Sequence, residues 1–173
     1  VETADEGYFF AVGIHQPLTI NAAALVGVAD NVGAYQFVLP FRIVVRRITW
    51  ELTTGVNGSF SSVGLYNADG SVRLVHVGAL ASEIADQGII DTAVTAVTIE
   101  PGIYYFAQTS TSASVIGRKL FVDNFGELIL NEGSTNAPAG IAANSGSSGV
   151  LPATLGAITA STSRDPLVCV FKP

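Results

Sequence analysis

Methionine is absent from the 173 residues, cysteine and tryptophan occur once each, and histidine occurs twice. A single cysteine, Cys169, excludes an intrachain disulfide. It lies in the apolar run Leu167-Val168-Cys169-Val170-Phe171, so a buried, inert thiol is expected. The two histidines, His15 and His76, stand far apart, and no His, Cys or carboxylate spacing of a metal site surrounds either. His15, beside Gln16-Pro17, reads as a loop residue, and His76, between Val75 and Val77, as a strand residue.

Charge is the second shortage. Asp, Glu, Lys and Arg make up 13% of the chain, against a usual share of about 25%. Net charge is −6, and the basic residues do not cluster beyond Arg42, Arg46 and Arg47. Nucleic acid as a partner is thereby disfavoured, because it demands a basic footprint. No apolar run approaches the roughly 20 residues of a membrane-spanning helix, so no membrane insertion is expected. No signal peptide is visible. The chain starts at Val1 and has no Met, which fits either a trimmed initiator or a fragment.

What is present points to β-structure. Hydrophobic residues form 49% of the sequence, which excludes a disordered chain and is enough for one sizeable core. They come in short Val-, Ile-, Phe-, Tyr- and Leu-rich runs broken by Gly, Asn, Asp, Ser and Pro, while helical periodicity is nearly absent. The expectation is a single all-β domain over residues 1–173, an antiparallel, jelly-roll-like β-sandwich of about eight strands. Within it, residues 1–30 are expected to be an N-terminal segment available for attachment.

The most readable strand is Ile43 to Thr54. Ile48, Trp50 and Leu52 alternate with Thr49, Glu51 and Thr53, whereas Ile43 and Val45 have the opposite parity. A β-bulge at Arg46-Arg47 would restore one apolar face and put Trp50 in the core. Asn67-Ala68-Asp69-Gly70 marks a hairpin turn between Val63-Leu65 and Val72 to Val77. Even alternation is expected over Thr92 to Ile99. Pro40 marks an edge, a bulge or a strand boundary, Glu100-Pro101-Gly102 turns the chain, and Ile103 to Gln108 and Leu167 to Phe171 read as strands. Gly7 to Gly13, Lys119 to Val122 and Glu127 to Leu130 are further candidates. Ile20 to Val28 reads as a strand or a short helical turn, and Gly133 to Gly149 as a long surface loop.

Catalytic signatures are missing. Gly146-Ser147-Ser148-Gly149 is too short for a nucleophile elbow, and no Gly-rich loop ends in Lys-Ser or Lys-Thr. Glu51, Asp86, Asp91, Asp123 and Glu127 are carboxylates without assignable pairing. Asp123-Asn124-Phe125-Gly126-Glu127 spaces oxygen ligands as a calcium loop does but reads equally as a turn. No catalysis and no cofactor are expected. Partner contact is expected of Tyr66, Tyr104 and Tyr105, because adjacent strand tyrosines point to opposite faces, and of Asn136 and Asn144 in the long loop.

Two segments carry a resemblance. Val63-Gly64-Leu65-Tyr66-Asn67-Ala68-Asp69-Gly70 is followed some 30 residues on by Val97-Thr98-Ile99-Glu100-Pro101-Gly102-Ile103-Tyr104-Tyr105-Phe106. Together with Phe37-Val38-Leu39-Pro40, Val45 to Thr53 and Leu151-Pro152-Ala153-Thr154-Leu155-Gly156, the pattern resembles β-sandwich knob and decoration domains of tailed-phage virion proteins. The likeness implies a structural role on the particle surface, as a tail- or head-fibre knob or a capsid decoration. It also implies a homo-oligomer, a trimer in the fibre case, with other virion proteins and a host surface glycan or receptor as further partners. The alternative is a carbohydrate-binding module of a secreted bacterial protein.

Overall fold

The computed structural model describes residues 8–9, 19–121, 139–161 and 166–173. Among these lie thirteen strands: β1 (Tyr8–Phe9), β2 (Thr19–Ala24), β3 (Val32–Leu39), β4 (Ile43–Thr54), β5 (Phe60–Tyr66), β6 (Arg73–His76), β7 (Leu80–Ala81), β8 (Gly88–Ile99), β9 (Gly102–Ser110), β10 (Ile116–Phe121), β11 (Ala139–Ala142), β12 (Ile158–Ala160) and β13 (Cys169–Lys172). The one helical turn among the described residues is a 3-10 turn at Ile84–Asp86.

Eight of these strands make the frame. One sheet runs β2-β10-β4-β8 and the other β3-β9-β5-β6, with every neighbouring pair antiparallel. Taken in chain order, these eight change sheet at each step except the β5–β6 hairpin. That alternation is the jelly roll, two Greek keys wrapped into a sandwich. Five short strands extend the frame. β13 pairs with the edge of β4 that also meets β10, and β1 lies beyond it. β11 and β12 continue the second sheet past β3, and β7 pairs with β5. β11 falls inside the stretch expected to be a loop, because its Ala-Gly-Ile-Ala sequence carries little polar contrast to reveal a period. Ile20 to Val28 begins as a strand, not a helical turn.

β4 shows how the sequence builds its own register. Ile43, Val45, Ile48, Trp50 and Leu52 all reach the core. Pairing with β8 shifts between Val45 and Arg47, and Arg46 and Arg47 are both exposed. The bulge turns two parity classes of side chain onto one apolar face. β8 answers it: Val94 and Val97 both pack against the core while Thr95 and Ala96 are both exposed. The even alternation expected over Thr92 to Ile99 therefore breaks at Thr95-Ala96, because the partner strand shifts there.

At the β5–β6 hairpin the Gly70 N–H bonds the Asn67 carbonyl, and the Asp69 carboxylate accepts the Ser71 N–H. Gly70 has φ of +72°, a left-handed conformation that glycine adopts without the Cβ penalty.

Apolar packing occupies two layers. The main core lies between the sheets and includes Leu25, Tyr35, Phe37, Ile48, Trp50, Leu65, Phe106 and Phe171. A second cluster lies outside the β3-β9-β5 face, where Val32, Ala34, Tyr66, Tyr105 and Ala107 meet Ala142, Leu151, Leu155 and Ile158. The chain segment from 142 to 158 thus lies over this sheet, which is why Ser61–Tyr66 and Tyr105–Ser110 are buried at every position. The outer face of the other sheet carries ion pairs instead: Arg47 and Lys172 on Asp91, and Arg118 on Glu51.

Candidate interaction surface

The residues expected to meet a partner fall into different environments. Tyr66 and Tyr105 are 0% and 1% exposed, beneath the 142–158 segment. The Tyr66 hydroxyl donates to the Pro152 carbonyl. Burial raises both phenols above their ordinary range, although the nearby Arg73 guanidinium works against this at Tyr66. Neither ring is presented to solvent here. Alternation along β9 does put adjacent tyrosines on opposite faces. What the sequence hides is that both faces are covered, since Leu151 and Leu155 arrive from a segment without a regular period. Tyr104 is half-buried against the main core, stacks at a tilt on Phe37, and donates its hydroxyl to the Glu100 carbonyl at 2.7 Å. Asn144 is exposed, with its amide donating to the Thr154 carbonyl and hydroxyl at 2.9 and 2.8 Å. It braces its own loop. Asn136 lies outside the described residues, as do His15, the Asp123–Glu127 segment, the Glu127 to Leu130 candidate strand and most of Gly7 to Gly13.

The two segments behind the resemblance lie side by side. β5 pairs with β9 so that Leu65 faces Phe106 and Tyr66 faces Tyr105. At this end of the sandwich the Arg42 guanidinium meets the Glu100 carboxylate at 3.2 Å, joining the β3–β4 and β8–β9 turns. Val38 and Ile103 pair directly across strands here and are 68% and 47% exposed.

The flank formed by β6 and β8 has a different character. β8 runs twelve residues and, among the described residues, pairs with β4 alone. Among the described residues no strand pairs with its other edge. Across the sandwich it faces the short β6. Eight half-buried hydrophobics pack against the main core, and five of them, Leu74, Val77, Ile90, Val94 and Val97, lie on this flank. Ile84 in the 3-10 turn, Ile89 at the start of β8, and Val72, just before β6, are exposed.

Charge is sparse there. Asp91 is the only ionisable residue of β8, and it points to the outer face of its sheet. It accepts from the Thr49 hydroxyl at 2.7 Å and from Arg47 at 3.1 Å. These hydrogen bonds, Thr49 foremost, hold its carboxyl below the usual range despite some desolvation. Arg73 is turned onto the Leu151 carbonyl. His76 accepts the Gly78 N–H at Nδ1, at 3.1 Å. Desolvation, then the Arg73 charge, lower its pKa, so the ring is neutral near neutral pH.

The remaining ionisable groups take structural positions. Arg118 grips both Glu51 oxygens, at 3.0 and 3.1 Å, and chiefly this hydrogen bonding lowers the Glu51 carboxyl. A general acid needs the opposite shift. Among the described residues no three His, Cys, Asp or Glu side chains gather closely enough to hold a metal. Cys169 is buried, and desolvation pushes its thiol far above the reactive range.

The sequence reading missed Gln108. Its side chain is fully buried on the core face of β9, donating to the Leu25 carbonyl at 2.7 Å and accepting the Leu167 N–H at 2.9 Å. It also missed Ser59, Ser61 and Ser82, which exchange buried hydroxyl contacts under the β4–β5 loop. For Gln108 the signal was a polar residue ending an apolar run; the serines lie in polar stretches that gave none.

No family model matches the chain, and neither a curated protein nor a solved structure matches it.

Proposed function

We propose that this protein is a structural component of a phage virion, exposed on the particle surface and assembled as a homo-oligomer, without a catalytic role. One observation carries the choice over a sugar-binding module. Trp50, Tyr66 and Tyr105, the rings such a module would lay out as a platform, are committed to the protein's own cores. Among the described residues the large apolar side chains that face solvent are mostly aliphatic: Val28, Val38, Val72, Ile84, Ile89 and Ile103, with Phe41 and Phe60. Exposed aliphatic side chains on a chain of low charge suit protein–protein contact, where little charge must be desolvated. The two adjoining segments that resemble phage knob and decoration domains support the same reading. A trimer is the order that fibre symmetry implies. A knob would add a host glycan or receptor as partner, and a decoration protein would grip the shell.

Solution mass together with immunolabelling of phage particles tests the proposal. An oligomer and particle labelling are the expected results. A strict monomer that binds soluble glycan, encoded beside carbohydrate enzymes, would defeat it in favour of the carbohydrate-binding module.

A further inference from the structure

We infer that the β6–β8 flank is the surface through which this chain meets further copies of itself. The inference rests on the homo-oligomer in the proposed function and names the part of the molecule that builds it.

Three observations converge on this flank. The first is incomplete burial. A sandwich core ordinarily closes at its sides, yet Leu74, Val77, Ile90, Val94 and Val97 pack on the core and remain half open on one side of the molecule. Covering them removes apolar surface from water, at roughly 25 cal/mol per Å². The second is the strand edge. β8 is long, has no proline, and carries as its one charge Asp91, already engaged by Arg47, Thr49 and Lys172. Proteins that stay monomeric usually block such an edge with lysine, proline or a covering element. Here the one irregularity is the shift at Thr95-Ala96. The third is charge. His76 is held neutral by desolvation and Arg73, and the Arg73 guanidinium is spent on Leu151. The carboxylates at its ends are engaged: Glu83 and Asp86 at the 3-10 turn, Asp69 on the Ser71 N–H in the hairpin before β6, and Glu100 on Arg42 after β8.

The dimensions fit a protein partner. Twelve residues of β8 at about 3.3 Å each give an edge of about 40 Å. Two sheets about 10 Å apart, with their side chains, make the flank about 20 Å wide. The product, about 800 Å², is what a standard interface takes from each partner. A second copy is the occupant that brings matching chemistry: the same aliphatic side chains and the same β8 edge, with no strong charge to oppose.

The test places lysines on the exposed residues beside the edge, Thr95→Lys with Ala96→Lys, in the full chain. Val38→Lys, on the outer face of the other sheet, is the control. Sedimentation velocity of the parent should show an oligomer. The double variant should run as a single chain with an unchanged circular dichroism spectrum, and the control should keep the parental mass. Hydrogen exchange on the unaltered protein gives a reading independent of how the variant folds. Amides of residues 88–99 should exchange about tenfold more slowly or better at concentrations where the oligomer forms. An oligomer whose mass ignores the lysines, or whose protection appears elsewhere, overturns this inference and leaves the virion reading standing. A parent that stays monomeric overturns the inference, and glycan binding by that monomer overturns the virion reading with it.

Discussion

Gln108 accepts the backbone N–H of Leu167 across 59 positions of sequence. With its other end it donates to the Leu25 carbonyl, so one amide on β9 ties two segments of the opposite sheet's side to its own. All three groups are buried, where a lost partner costs the full desolvation penalty.

Gln108→Leu should therefore destabilise the protein by about 2–5 kcal/mol, leaving the Leu25 carbonyl and the Leu167 N–H without this partner at roughly 1–3 kcal/mol each. Urea unfolding followed by tryptophan fluorescence reads the change. A variant as stable as the parent would show that Gln108 is not a clamp between the sheets.

Tyr66→Phe keeps the ring in the outer cluster and removes only the hydroxyl that bonds Pro152. The expected loss is about 1–2 kcal/mol. Proteolysis should report it first within 142–158, since that segment loses its tether. Cleavage distributed as in the parent would count against the tether.

Trp50→Ala should cost about 3–5 kcal/mol, as a large-to-small change in a packed core. Trp50→Phe should cost much less, because the indole Nε1 finds no hydrogen-bond partner among the described residues and nothing polar is lost with it. Thermal melts of the two variants compare them directly. If Trp50→Ala melts with the parent, the ring contributes nothing to the core.

Acid should weaken the fold in two steps. His76 is lowered from 6.5 in the folded chain. As pH falls through that value the unfolded chain takes up a proton that the folded one refuses, so stability drops until the folded value is reached. Glu51 and Asp91, lowered from 4.5 and 3.8, contribute stability that is present above those values and lost as pH falls through their folded ones. His76→Gln should abolish the first step and leave the second. Urea midpoints measured from neutral to acid pH would show whether the first step survives the substitution.

The frame was legible where chemistry alternates sharply. The Arg46-Arg47 bulge could be read because arginines interrupt Ile, Val, Trp and Leu, and the hairpin at Asn67–Gly70 because its residues tolerate the turn. The matching shift in β8 was not, since Thr, Ala and Val offer no contrast between inside and outside. The fate of Tyr66 and Tyr105 depended on Leu151 and Leu155, more than 40 residues downstream in a segment without period. The flank stayed hidden for a related reason. Half-burial of Ile90, Val94 and Val97 belongs to the shape of the sandwich, while the residues themselves look like any core strand.

The 142–158 segment gives the two sheets unequal freedom to drift. On β4 and β8, substitutions at outward positions meet solvent, and the surface can change its chemistry while the register holds. On β5 and β9 both parities are interior over Ser61–Tyr66 and Tyr105–Ser110, so nearly every replacement there is tested for volume and polarity at once. Lineages descending from this chain should vary their outer charges on one side of the sandwich and preserve small and aromatic residues on the other. New binding specificity would then be acquired most easily on the sheet whose outer face stays open among the described residues.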